Sequence, residues 1–300
     1  MTINLLCNEI TKEEMELYFF KYCSEENVEE VRKSLEVGVD ANFTEKESGR
    51  TGLIFTASGA VTKLLIDAGA DVNIRCRYGF SAFTKPSNEL EKIKHLIAAN
   101  VDVNTANDIG KTPLMESQNP EIISLLLEEK ADVNAKDNHG QTALMQHREP
   151  EIIKMLIDAG ADVNATDEDG STALMYALMA GVYVRMKIIA DEKCSHRHQI
   201  VKTLVEAGAD INYQRESDRK SALMMVKHLE DAMYLIEKGA DITAIDFDQQ
   251  LAHQQPHLHG ASAMMIRSYL ENVHLSQVAK TAVLSTNNQH TQPTNKRQRL

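Results

Sequence analysis

Two groups of side chains in this sequence could hold a metal: Cys194-x-His196-x-His198, and His253-x3-His257-x-His259. A protein zinc site needs four ligands, usually supplied as two pairs, and neither spacing matches a familiar pattern or is accompanied by a second pair. Solvated loop histidines are the simpler reading. Carboxylates gather at Asp137 and in Asp167-Glu168-Asp169-Gly170, but that tetrad lacks the length and terminal Glu of a calcium loop. Helix capping and solubility account for it. There is no G-x-S-x-G, no H-E-x-x-H and no Gly-rich phosphate loop, so no nucleophile, base or phosphate cradle is legible. Cys7, Cys23, Cys76 and Cys194 are scattered without a C-x-x-C, which suits free thiols in a reducing, cytoplasmic setting. These residues imply no catalytic centre, metal or cofactor.

The chain holds 32 basic and 44 acidic residues, a formal net charge of −12. Such a body repels phosphate backbones and anionic lipid, so neither nucleic acid nor membrane is expected as a partner. The start, MTINLLCNEITKEE, has no basic residue before its short apolar stretch and does not read as a signal peptide. The most apolar run, Ala173–Ala190, is broken by Arg185 and Lys187 before it reaches bilayer length. Hydrophobic residues make up 43% of the chain but aromatics only 5%, with no Trp, which favours many small similar interfaces over one large core.

One phrase recurs. It reads EVGVDAN ending at Asn42, DAGADVN at Asn73, AANVDVN at Asn104, EEKADVN at Asn134, DAGADVN at Asn164, EAGADIN at Asn212 and EKGADIT at Thr243. The steps are 31, 31, 30, 30, 48 and 31 residues. A second marker keeps time with it: Thr51-Gly-Leu, Ser81-Ala-Phe, Thr112-Pro-Leu, Thr142-Ala-Leu, Thr172-Ala-Leu and Ser221-Ala-Leu. Within one unit, Pro150 suits a first helical position, and Ile152, Ile153, Leu156 and Ile157 then share a helix face. Gly160 follows where a left-handed residue ends the helix. Asn164 to Gly170 is turn-rich and predicts an extended finger, after which Thr172 caps a short helix bearing Ala173, Leu174 and Met175.

These phrases resemble the ankyrin repeat family, over roughly residues 10 to 275. The resemblance implies an all-α solenoid of helix-turn-helix units with β-hairpin-like fingers, whose function is to bind another protein. The expected division is an N-terminal capping helix pair at 1–42, repeats at 43–243 with a helical insertion near 176–198, a degenerate capping repeat at 244–275 and a disordered basic tail at 276–300.

The departures from the family are as informative as the match. Units are 30 or 31 residues rather than 33, and the loss lies between T-A-L-M and E-I-I, so the first helix or its loop is about one turn shorter. The family's His in T-P-L-H is Met at Met115, Met145, Met175 and Met224, which replaces a polar link between repeats by apolar packing. Asn100 and Lys130 stand where Gly38, Gly69, Gly160, Gly208 and Gly239 cap the other helices, and both must enter the left-handed region. The 48-residue step carries extra residues between Met175 and Gln199, read as an extension of the first helix that returns through Asp191-Glu-Lys-Cys-Ser. That insertion is either a neutral packing element or a specific contact.

The candidate partner-binding residues are Arg75, Arg77, Tyr78, Asp108, Ile109, Asn138, His139, Glu168, Asp169 and Arg215 at finger tips, with Tyr183, Arg185 and Lys187 on the insertion. Tyr and Arg are the expected energetic anchors. The family resemblance also implies asparaginyl hydroxylation at Asn134 and Asn164, each with Leu eight positions earlier. The expected unit is a monomeric, non-catalytic binding module. One more specific version resembles a type IV secreted ankyrin effector of an intracellular bacterium. Two alternatives stay open: an enzyme with an unrecognised site in the insertion or the last unit, and a nuclear adaptor using the basic tail.

Overall fold

The computed structural model describes residues 12–85, 89–179, 190–255 and 261–289. The chain divides into two compact units, residues 1–162 and 163–300. In the first, α1 (Lys12–Ser24) pairs with α2 (Val28–Glu36), α3 (Gly52–Phe55) with α4 (Gly59–Asp67), α6 (Pro113–Glu116) with α7 (Pro120–Glu128), and α8 (Ala143–Gln146) with α9 (Pro150–Asp158). Between α4 and α6, a turn at 82–84 takes the place of a short helix and leads to α5 (Leu90–Ala98). In the second unit, α10 (Ala173–Met179) pairs with α11 (Ala190–Glu206), a 3-10 turn at Ala222–Met225 with α12 (Leu229–Glu237), and a 3-10 turn at Ala252–Gln254 with α13 (Ala261–Gln289). No described helix is long and apolar enough to cross a membrane.

The short first helices confirm where the missing residues fall. α3, α6 and α8 are single turns of four residues, each ended by an extended residue, Thr56, Ser117 or His147. Pro120 and Pro150 start the following helices at a position that needs no N–H donor. The expected cap at Thr172 is made, but those at the equivalent positions of three other modules are not. Thr172 Oγ1 accepts from Met175 N at 3.4 Å, but Thr112, Thr142 and Ser221 keep buried hydroxyls without a partner. Their small size next to the tightly packed first turn, rather than capping, explains their place.

Ile and Leu of the second helices, such as Ile122, Ile123, Leu126, Ile152, Ile153 and Leu156, pack with Leu114 and Leu144 at near-zero exposure. The four methionines are core residues, all at 3% exposure or less. Burying each contributes about 1.5–3 kcal/mol.

The helix ends behave as the sequence requires. Gly160 N (φ 90°) donates to Ile157 O at 2.9 Å and Ala161 N to Leu156 O at 3.0 Å, the paired bonds of a left-handed helix cap. Asn100 and Lys130 take the same conformation at φ 58° and 63°.

A joint of two hydrogen bonds links successive modules. Asn134 Nδ2 donates to Gly160 O at 3.2 Å while its Oδ1 accepts from Asp162 N at 2.8 Å. Asn42, Asn164 and Asn212 do the same towards Gly69 and Asp71, Gly208 and Asp210, and Gly239 and Asp241. In all four, the next module is capped by Gly. Where the next cap is Lys130, Asn104 keeps only the bond from Asp132 N at 2.7 Å, and where it is Asn100, Asn73 makes neither bond among the described residues.

Two sequence expectations change here. α11 begins at Ala190, so Asp191–Ser195 is helix and not a returning turn; residues 180–189 lie outside the described residues. The segment from 276 to 289, expected to be disordered, continues α13 to Gln289. No Gly or Pro interrupts residues 261–292, and Ala, Leu, Lys and Gln favour continuation once the helix is nucleated. Residues 290–300, with Lys296, Arg297 and Arg299, lie outside the described residues.

Candidate functional site

The fingers are turns built on a buried anchor. Asp137 Oδ1 accepts from His139 N and Gln141 N, both at 2.9 Å, while its Oδ2 accepts from Gln146 Nε2 at 2.8 Å. Asp167 repeats this with Asp169 N, Ser171 N and the Tyr176 hydroxyl at 2.7 Å, and Asp246 with Gln250 N and Gln255 Nε2. A carboxylate accepting backbone and side-chain donors locks the finger to its own helix turn. These aspartates are buried turn anchors and not the helix caps or solubilising charges expected of them. Among the described residues no true strand forms: single antiparallel bridges, Thr44–Thr51, Thr166–Thr172 and Gln214–Ser221, are what remains of hairpin character.

Neighbouring finger tips touch closely enough to need glycine. A Cβ on Gly79 would lie 1.9 Å from Asp108 Cγ, and one on Gly110 would lie 2.6 Å from Asn138 N and 2.9 Å from Asp137 Cα. Asn138 N donates to Ile109 O at 3.0 Å and Asn138 Nδ2 to Asp108 O at 2.8 Å.

The candidate binding residues divide accordingly. Arg75 donates to Gly79 O, Ala106 O and Asp108 Oδ1 (3.2 Å), so it and Asp108 bridge the second and third fingers rather than standing free. Arg215 pairs with Asp218 and reaches Ser171 Oγ at 3.1 Å; its Asp218 hydrogen bond holds the guanidinium pKa above its ordinary value. Asn138 spends its amide on the frame. Arg77, Tyr78, Ile109, His139, Glu168 and Asp169 are exposed. Tyr78 at 59% and Ile109 at 51% are large apolar surfaces on adjacent tips. Tyr183, Arg185 and Lys187 lie outside the described residues, as do His257 and His259. Among the described residues no group of three metal-ligating side chains forms.

Sequence reasoning missed the buried charges. Eight residues before the left-handed helix-ending residue stand Val61, Ile122, Ile152 and Ile200 in four modules but Lys92 and Asp231 in two. Lys92, at 1% exposure, donates to Thr56 O at 2.8 Å. Burial, and then the neighbouring Lys85, push its pKa down to about 7. Lys85 donates to Ile54 O at 3.0 Å and is itself lowered by burial and by Arg50. Asp231, at 0% exposure, accepts from Arg197 Nε at 2.9 Å and has His198 Nδ1 2.7 Å from its other oxygen, with Glu230 3.2 Å from His198 Nε2. His198, weighed above as a metal ligand, is part of this internal ion pair. His147 Nε2 lies 2.8 Å from Leu114 O, and burial lowers its pKa. Lys85, Lys92 and His147 thus restore polar links between modules that the loss of the T-P-L-H histidine appeared to remove; they come from one to eight residues further along the unit. A lysine or aspartate breaking the apolar register at that position was the signal available in the sequence.

No curated protein matches the sequence. Among solved structures, the ankyrin repeat domain of Bcl-3, described as a unique member of the IkappaB protein family, superposes with a TM-score of 0.56 at 23% identity, covering 73% of this chain and 97% of that one. In all, 498 solved chains match, so the likeness establishes the fold and singles out no partner. The family model for ankyrin repeats (3 copies) matches residues 82–167 and 145–246, more than half of the chain. With its repeating short and long helices, its glycine-tipped fingers and its asparagine joints, the chain belongs to the ankyrin repeat family.

Proposed function

We propose that this protein is a non-catalytic module that binds another protein through its finger tips and the adjoining first-helix surface. The observation carrying this is the pair Tyr78 and Ile109: two large apolar side chains left in solvent on a frame that hydrogen bonds hold rigid. Anchors that are already ordered lose little entropy on binding, and exposed Tyr beside Arg is the composition typical of energetic hot spots. Arg77 and His139 supply polar contacts on the same unit in this reading, while on the second unit the finger with Glu168 and Asp169 and the insertion with Tyr183, Arg185 and Lys187 are further contact regions. The free buried thiols of Cys23 and Cys76 fit a cytoplasmic setting.

The test is affinity capture of a partner with the full chain, beside a Tyr78→Ser/Ile109→Ser variant and a chain lacking residues 182–197. Loss of the partner from the first variant supports docking on the fingers, and loss from the second supports the insertion. A partner retained by both would refute the proposed surface. Hydroxylation of Asn134 or Asn164 would require each exposed side chain to release its two joint bonds. A mass increase on either peptide after incubation with an asparaginyl hydroxylase would establish it, and its absence would remove the assignment.

A further inference from the structure

The second finger, Asn73-Ile-Arg-Cys-Arg-Tyr-Gly-Phe, carries two arginines and no acid in a chain whose net charge is −12. Arg75 is committed to Asp108, but Arg77 is exposed and has no carboxylate partner among the described residues. Arg77 lies against Gly49, and its N–H donates to Ser48 O at 2.8 Å. The next residue, Arg50, holds its guanidinium carbon 5.8 Å from the centroids of both Phe55 and Tyr78, again without an acidic partner. A guanidinium against aromatic faces keeps N–H donors directed outward in a fixed plane. Lys85 follows on the inner side, bound to helix carbonyls, and Lys92 lies behind it. Of the neighbouring acids, Asp108 is taken by Arg75, Glu45 lies against the Ser48 hydroxyl, and Glu116, which lines a recess with Lys85, has its charged partner in Lys111 at 3.9 Å. Burial, and after it the neighbouring cation, Arg50 for Lys85 and Lys85 for Lys92, lowers the pKa of both lysines.

We propose that this face of the first unit binds an extended acidic segment of a partner protein, in which carboxylates are met by Arg50 and Arg77 while an adjacent aromatic or aliphatic side chain lies along Tyr78 and Ile109. The inference rests on the interaction reading above and adds the chemistry of the ligand. The charge argument selects an acidic partner over a basic or neutral one, because Arg50 and Arg77 present guanidinium groups that no carboxylate among the described residues pairs with. The apolar step between the second and third fingers selects a peptide over a small inorganic anion, which would leave Tyr78 and Ile109 uncovered.

The experiment pans the full chain against a displayed library of random short peptides and measures the enriched sequences by fluorescence anisotropy. Wild type is compared with Arg50→Gln/Arg77→Gln and with Arg32→Gln, an exposed cation on α2 that serves as a charge control. Enrichment of Asp or Glu next to apolar residues is expected. Affinity should fall at least about tenfold in the double variant and hold in the control. It should also weaken as salt rises from about 50 to about 300 mM, with the urea midpoint unchanged in both variants. Enriched peptides without an acidic bias, or acidic peptides that bind the double variant equally well, would overturn the proposal and leave the protein-binding reading intact. Failure to enrich any peptide overturns it as well, and the capture experiment with intact partners then decides the broader reading alone.

Discussion

Lys92 offers the sharpest physical test, because its replacement by the apolar residue its register asks for should change stability in a pH-dependent way. In the unfolded chain its ammonium releases a proton near the ordinary 10.5, whereas in the fold burial brings this to about 7. Between those values the unfolded state binds more protons, so stability rises with pH across that window; below about 7 the folded chain carries the full cost of a buried charge. Three and a half pH units correspond to roughly 5 kcal/mol at pH 6, and to roughly 2 kcal/mol at pH 9. Lys92→Met removes this penalty. It gains apolar burial but leaves Thr56 O without its donor, an offset of about 1–3 kcal/mol that does not vary with pH. Urea unfolding followed by circular dichroism at pH 6, 7.5 and 9 should therefore show the variant's advantage shrinking by roughly 3 kcal/mol across the series. An advantage that is constant with pH, or a variant less stable than wild type at pH 6, would show that Thr56 O and its surroundings solvate the ammonium and that the reasoning is wrong.

Other expectations are simpler. Lys130→Gly should raise the urea midpoint, adding about 0.5–1 kcal/mol to the unfolding free energy, since a non-glycine residue at φ 63° is strained, although glycine gives up more chain entropy. A fall in that midpoint would refute it. Asp231→Asn leaves Arg197 buried opposite a neutral group and should cost about 3–5 kcal/mol, measured in the same way; a loss under about 1 kcal/mol would mean that water reaches Arg197. Gly110→Ala and Gly160→Ala share left-handed strain, but only the first meets backbone within 3 Å. The first should lower the thermal midpoint clearly more than the second, and equal losses would mean that the finger tips are not in contact.

Much of this fold was legible because each module repeats the same local chemistry. Gly160, Pro150 and the Ile-Ile-x-x-Leu spacing state their roles without tertiary context, and even Lys130 could be placed in the left-handed region from its position alone. What escaped the reading depends on neighbours distant in sequence. Asp137 and Asp167 look like surface carboxylates until the residue nine positions later is seen to seal each one inward. Arg75 and Arg215 look like free anchors until Asp108 and Asp218 are found against them. Composition misled at Ser276 to Gln289, where polar residues suggested a coil although nothing interrupts the helix. Of the candidate surface, the tip positions were readable from the position just before each finger glycine; Arg50 was not, because its place under Tyr78 arises only when one module stacks on the next.

The uneven asparagine joints have a mechanical consequence. Asn73 lacks both bonds and Asn104 has one, so the boundaries on either side of the third module rely on apolar packing, the Arg75 bridge and the carbonyl contacts of Lys85, Lys92 and Asn138, whereas those at Asn42 and Asn134 carry the full asparagine pair. A zipper with two weak teeth parts there first, and amide exchange should be faster at Asp102 and Val103 than at Asp162 and its neighbours. Tyr78 and Ile109 sit on opposite sides of the weaker boundary, so a ligand spanning them would act as a splint, and slower exchange at that boundary on binding would reveal it.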